Sequence, residues 1–160
     1  MKKATRMLVL LAVLSLLGFS FAHAGTTDTI SVTVTLENIS ISLDTGTWAI
    51  GTVAAGSVNT SSAYTVTNDG NVAEDIAIQT ADSASWTSEA ASGVDQFVMD
   101  AQGGDLGTGG WTNIDASQTL ITGLAAAGTV ADLKLRFTCP AAGSNVSQQT
   151  IVVTLTASKN

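Results

Sequence analysis

Residues 64–78 read YTVTNDGNVAEDIAI, two runs of alternating apolar and polar residues joined by a segment rich in Asn, Asp and Gly. Alternation with a period of two places successive side chains on opposite faces of an extended chain, so each run is predicted to be a strand with one buried face. Asn, Asp and Gly tolerate the positive φ that a tight hairpin demands. We therefore expect residues 68–71 to form a hairpin turn.

The same segment carries oxygen atoms that a cation could use. Asp69, Asn71, Glu74 and Asp75 are candidate ligands for Ca²⁺, which takes six to eight oxygens. Their spacing is not that of an EF-hand loop, and turn chemistry accounts for residues 68–71 without a metal. The sequence favours a turn and predicts no metal site.

Period-two patterns run through most of the chain. The even positions of 29–36 are apolar: Ile30, Val32, Val34 and Leu36. Beyond Asn38 the apolar residues move to odd positions: Ile39, Ile41 and Leu43. A shift of one residue would turn the apolar face outward, so the chain is expected to bulge, bend or cross to another sheet near Asn38.

The remaining pattern predicts an all-β protein. Further strands are predicted at 48–53, 63–68, 74–80, 96–99, 119–124, 130–138 and 148–157. The Gly-rich stretch 103–110 is predicted to be a loop, and no segment has the pattern of a three-turn amphipathic helix. We predict a single antiparallel, immunoglobulin-like β-sandwich of about seven to nine strands.

The first 24 residues predict export. Lys2, Lys3 and Arg6 precede an apolar run that ends at Ala22-His23-Ala24, the pattern of a signal peptide cleaved after Ala24. The sandwich domain would then comprise residues 25–160. No membrane span is expected, because the apolar run is shorter than the ~20 residues a bilayer requires and no comparable run follows it. The start is typical of bacteria, and the expected location is the periplasm, the extracellular space or the cell surface.

Composition excludes several kinds of function. Residues 25–160 contain no His, a single Cys and three basic residues against 13 acidic ones. Nucleic acid would be repelled. Catalytic arrangements that need a His base, common zinc sites and an intrachain disulfide are excluded. No pair of carboxylates stands out for glycoside hydrolysis, so we predict no enzyme activity, no catalytic residue and no cofactor.

Three side chains are candidates for other roles. Trp86 and Trp111 lie in or beside predicted loops, where exposed rings stack on sugars, although a Trp at a strand end more often covers the core edge. Cys139 is in phase with Phe137 and Leu135, which favours a small buried side chain over the alternative of an intermolecular disulfide.

The alternating segment that follows the predicted cleavage site has two interpretations. It is the first strand of its own sandwich, or it completes the sheet of a neighbouring copy, as in strand-addition assemblies. The same edge argument applies to 148–157, which has few charges to discourage pairing with another chain.

Residues 48–80 carry Trp48, a Gly51-Thr52-Val53 triplet, Gly56-Ser57, and a strand that leads through Thr67-Asn68 to Gly70-Asn71. This stretch resembles the Hydin-type, immunoglobulin-like domains of bacterial surface and secreted proteins. The resemblance implies a spacer, adhesion or assembly module without catalytic residues. The expected function is an exported structural or adhesive module whose partners are copies of itself or other surface proteins. The alternative is a module that binds glycans through Trp86 or Trp111.

Overall fold

The computed structural model describes Thr27 and residues 29–160. The predicted signal peptide and its cleavage site after Ala24 lie outside these residues. The chain divides into two compact units, Met1–Thr35 and Leu36–Asn160. The described part of the first unit contains no strand. We call the second unit the body.

The body is all-β, which confirms the predicted class. It contains ten strands: β1 (Ile41–Leu43), β2 (Val58–Thr60), β3 (Tyr64–Asn68), β4 (Glu74–Thr80), β5 (Thr87–Ser88), β6 (Gln96–Gln102), β7 (Thr112–Asn113), β8 (Gln118–Leu124), β9 (Thr129–Thr138) and β10 (Val153–Lys159). A single 3-10 turn, Gly104–Leu106, lies in the Gly-rich stretch. Nowhere in the described residues does a helix reach the length and apolarity needed to cross a bilayer.

The strands form two sheets. The larger has the order β1-β3-β9-β6-β5, with β2 also pairing with β9 and β7 with β6. The smaller has the order β10-β4-β8. Every strand pairing is antiparallel except the short parallel pairing of β5 with β6. The chain crosses between the two sheets five times, after β3, β4, β7, β8 and β9.

The inward faces of the two sheets share one hydrophobic core. Alternate residues of β3, β4 and β9 are buried, as the period-two pattern predicts. The core includes Ile76 and Ile78 from the smaller sheet and Phe97 and Phe137 from the larger, whose ring centroids are 5.9 Å apart. Each fully buried side chain of this size stabilises the fold by about 1.5–3 kcal/mol.

Most predicted strands are confirmed. β3, β4, β8 and β9 match the predicted ranges to within one residue, β6 extends beyond 96–99, and β10 begins five residues after the predicted start at 148. The strand predicted at 48–53 is wrong. Its apolar residues Trp48, Ile50 and Val53 pack against the core from an irregular segment. Alternation specifies which side chains are apolar, but a strand also needs a neighbouring backbone to pair with.

The hairpin predicted at 68–71 is also wrong, because this segment joins two different sheets. β3 belongs to the larger sheet and β4 to the smaller. None of residues 68–71 has a positive φ. Glycine is needed at position 70 because it has no side chain, not because of its φ angle. A Cβ here would overlap Asn38 O and Glu74 Oε1. Gly70 therefore allows the segment around Asn38 and the start of β4 to pack closely against residues 68–71.

This crowding makes a prediction for Gly70→Ala. We expect the added methyl group to destabilise the body by about 1–3 kcal/mol, because Asn38 O is backbone and Glu74 is fully buried. Gly46→Ala is the matched control, since no atom lies within 4 Å of its added Cβ. Urea unfolding of both variants measures the difference, and equal stabilities would contradict the close approach.

Candidate functional site

One run of exposed apolar side chains is the apolar comb, which we define as Ile30, Val32, Val34 and Leu36. Their side chains are 92%, 79%, 80% and 84% exposed, respectively. Residues 29–36 form no strand, contrary to the interpretation of this run as the first strand of its own sandwich. Soluble proteins rarely leave contiguous apolar surface exposed unless it contacts a partner. The comb therefore marks residues 29–36 as a candidate interaction segment.

The comb ends where the chain is fastened to the body. Asn71 Nδ2 donates to Leu36 O at 2.7 Å, and Asn71 Oδ1 accepts from the backbone N–H of Asn38 at 2.7 Å. Nearby, Lys159 Nζ lies 2.6 Å from Glu37 Oε1. Asn71 thus holds Leu36 and Asn38 at the end of the body where β4 begins and β10 ends.

A second feature is an apolar groove between the inward faces of the two sheets. Its volume is about 790 Å³. Its lining includes Leu135 from the larger sheet, Val153 and Leu155 from β10, and Trp48 and Trp86 from irregular segments. All of these except Leu135 are only half-buried. The groove is therefore open to solvent along part of the core.

The groove lies beside the edge strand β10. In the described part of the chain β10 pairs with β4 alone. The bonds from Ala81 N–H to Val152 O and from Asn160 N–H to Ala73 O show that the even-numbered residues of this segment direct their backbone groups toward β4. Backbone groups alternate in direction along a strand, so those of Val153, Leu155 and Ala157 point away from β4.

The two tryptophans predicted as sugar-stacking candidates lie in different places. Trp86 lines the groove, and its Nε1 is buried with no hydrogen-bond partner among the described residues. The centroid of the Trp111 ring lies 4.9 Å from the guanidinium carbon of Arg136. Arg136 alternates with Leu135 and Phe137 along β9, so Trp111 lies on the outer face of the larger sheet. The structure therefore does not bring the two rings into one pocket.

Arg136 is itself held in place. Its Nε and Nη2 both donate to Asp100 Oδ2, at 2.9 and 2.6 Å, and Asp100 is almost fully buried. One face of Trp111 is therefore covered by a guanidinium with a fixed position. Glycan binding through Trp86 or Trp111 stays a prediction, now concerning two separate surfaces.

Cys139 is buried in the wall of the groove. Burial raises the pKa of its thiol, because the charged thiolate is penalised in an apolar environment. A neutral thiol is a poor nucleophile, which agrees with the interpretation of Cys139 as a small core side chain.

The carboxylates around the NDGN segment form hydrogen bonds within the body. Glu74 Oε1 accepts from the backbone N–H of Ser40 at 2.8 Å. Asp75 Oδ1 accepts from Asn160 Nδ2 at 2.7 Å and from the N–H of Gly123 at 2.8 Å, and these bonds lower the pKa of Asp75. In the part of the chain that the structure describes, no three acidic, His or Cys side chains converge as metal ligands would.

No family model, curated protein or solved structure matches this chain. The resemblance of residues 48–80 to Hydin-type domains therefore stays a prediction. Sequence reasoning found the comb and the edge strand, because both are alternating segments. It missed the groove, whose walls include the irregular segments around Trp48 and Trp86.

Proposed function

We propose that this chain is an exported, non-enzymatic structural subunit with an immunoglobulin-like β-sandwich, and that it assembles with other copies of itself by strand pairing. One observation carries the proposal: residues 29–36 have the alternating pattern of a strand, yet all four residues of the comb are exposed. A segment of this kind gains a buried face only by joining another sheet.

The energetics favour such pairing. Burying an Ile, Val or Leu side chain contributes about 1.5–3 kcal/mol, and the comb offers four of them. Backbone hydrogen bonds between an added strand and a sheet edge supply further affinity, while alternate side chains supply specificity. The mechanism requires no reactive group, in agreement with a mature sequence that lacks His.

Export is the part of this proposal that depends on residues 1–24. The basic start, the apolar run and Ala22-His23-Ala24 support removal of this segment and delivery beyond the cytoplasmic membrane. The mature chain would then start at Gly25, and the comb would lie within a few residues of its N-terminus.

The test compares the assembly of three chains: the unaltered sequence from Gly25 onward and two double variants of it. Any tag is placed at the C-terminus. Val32→Asp/Val34→Asp alters the apolar face of the segment, and Ser31→Asp/Thr33→Asp adds the same charge to the polar face. All four residues are exposed, so neither pair should alter the fold of the body. Size distributions are measured by light scattering and negative-stain microscopy, with circular dichroism as the check on folding.

We expect the unaltered chain and the polar-face variant to form large oligomers or fibres and the apolar-face variant to remain a folded monomer. An unaltered chain that is monomeric at every concentration would overturn the proposal. Equal loss of assembly in both variants would show that added charge, and not the apolar face, causes the effect.

A further inference from the structure

We propose that the groove beside β10 is the acceptor for the comb of a second copy. This inference rests on the proposed function and specifies its interface. Residues 29–36 of one copy add to the outer edge of β10 in the next copy, and the comb enters the groove. The smaller sheet then gains a fourth strand.

The two segments match in length and period. Residues 30–36 span about 20 Å when extended, at ~3.4 Å per residue. β10 also has seven residues, and its half-buried side chains, Val153, Leu155 and Ala157, recur every second position. Paired strands in a sheet carry neighbouring side chains on the same face. A strand placed on β10 can thus point four apolar side chains to the side on which Val153 and Leu155 line the groove.

Backbone groups for this pairing are in place. The N–H and C=O groups of Val153, Leu155 and Ala157 point away from β4, and none forms a sheet pairing in the described part of the chain. An incoming strand would pair with these groups.

The polar faces match as well. Ser31, Thr33 and Thr35 on the segment would lie beside Thr154, Thr156 and Ser158 of β10, all of which are exposed. Hydroxyl pairs of this type across neighbouring strands are favourable. The protein is strongly acidic, yet neither residues 29–36 nor residues 153–158 contain a charged side chain. Two copies can therefore meet here without direct repulsion.

A second copy fits better than the chain's own segment. The four side chains of the comb are exposed, and the groove of the body is open to solvent, so each copy carries both halves of the proposed interface. Leu36 is fastened at the end of the body where β10 finishes, so the chain's own segment would run parallel to β10. A segment from another copy is free to run antiparallel, which is the more stable arrangement.

This pairing joins different surfaces of the two copies. Each copy donates its segment at one end and accepts another beside β10, so the contact is heterologous. Heterologous contacts that do not close into a ring produce open chains of subunits. The expected assembly is therefore a filament.

The experiment mixes two full mature chains with complementary defects. The donor-defective chain carries Val32→Asp/Val34→Asp and retains its groove. The acceptor-blocked chain carries Ala157→Pro, which removes an N–H that points away from β4 and thus spares the β10–β4 hydrogen bonds. Ala157→Ser is the matched control, because it retains the N–H. Should Ala157→Pro unfold the body, Val153→Pro replaces it at the first residue of β10, where proline is tolerated.

Each defective chain alone should be monomeric, and their mixture should form a one-to-one dimer and nothing larger, seen as a doubling of mass. The Ala157→Ser chain should form filaments. A mixture that stays monomeric while the unaltered chain assembles would overturn the groove assignment and leave strand-paired assembly intact. An unaltered chain that never assembles would overturn both proposals.

Disulfide trapping in a Cys139→Ser background identifies the edge that is used. Thr33→Cys is placed on the donor, and Thr154→Cys, Thr156→Cys or Ser158→Cys on the acceptor. One of the three acceptor positions should yield a crosslinked dimer, and the register of the strand pairing determines which one. Thr119→Cys on β8, the opposite edge of the same sheet, should not crosslink. Crosslinking through β8 alone would overturn the assignment to β10.

Discussion

Replacing Asn68 with aspartate should lower the free energy of unfolding by about 2–4 kcal/mol, because a fully buried side chain loses its donor to two partly buried carbonyl groups. Asn68 is fully buried, and its Nδ2 donates to Val72 O and Leu124 O, each at 2.9 Å. Its Oδ1 accepts from the N–H of Gly70 at 2.8 Å. Aspartate has the same shape and preserves the bond from the N–H of Gly70. It also places a second acceptor against the two carbonyl oxygens.

Asn71→Asp is the matched control for this prediction. Asn71 also donates from its amide, to Leu36 O, but it is exposed, so water can replace the lost donor. We expect a change within about 0.5 kcal/mol. Urea unfolding with linear extrapolation measures both variants. Similar losses at the two positions would show that burial of Asn68 does not determine its effect.

Replacing Phe97 with alanine should cost about 3–5 kcal/mol of stability. Phe97 is fully buried in β6 and packs against Phe137 of β9, its neighbour in the larger sheet. The core that these rings help to fill also contains Ile76 and Ile78 of the smaller sheet. Loss of the ring removes apolar burial and leaves a cavity that a packed interior fills only in part.

Val58→Ala is the control for Phe97→Ala, since Val58 is 58% exposed on β2 and its truncation should change stability by less than about 0.5 kcal/mol. Thermal and urea unfolding measure both variants. A loss below 1 kcal/mol for Phe97→Ala would contradict a core shared by the two sheets.

The stability of the body and the proposed assembly should depend on different residues. Asn68 and Phe97 are buried, whereas the comb is exposed and Ala157 presents its outward N–H at a sheet edge. Variants of the first kind should shift the unfolding midpoint. Variants of the second kind should change the size of the assembly and leave the unfolding midpoint of the monomer nearly unchanged.

Several strands were predictable because their signal is local. In β3, β4 and β9 the apolar side chains alternate with polar ones, and the structure buries them on one face. The irregular course of 48–53 was not predictable in this way. Trp48 and Ile50 have the spacing of a strand, but no strand within the described residues pairs with their backbone, and they pack as side chains of a loop.

The candidate site shows the same division. The alternation of Ile30, Val32, Val34 and Leu36 is a property of the sequence alone, as is the scarcity of charge in 148–157. Whether each segment finds a partner within the chain is a question of tertiary pairing. The separation of Trp86 from Trp111 also depends on the fold. Trp111 contacts Arg136 on the outer face of β9, whereas Trp86 lines the groove between the two sheets.

Composition and local alternation were enough to establish the all-β class, most of its strands and the absence of His from residues 25–160, because these properties reside in single residues and their neighbours along the chain. The tertiary structure alone decided that residues 68–71 cross between sheets, that β10 is an edge beside an open groove, and that the comb remains exposed. These features depend on contacts between residues far apart in sequence, and a periodic pattern contains no information about which distant backbone will lie beside it.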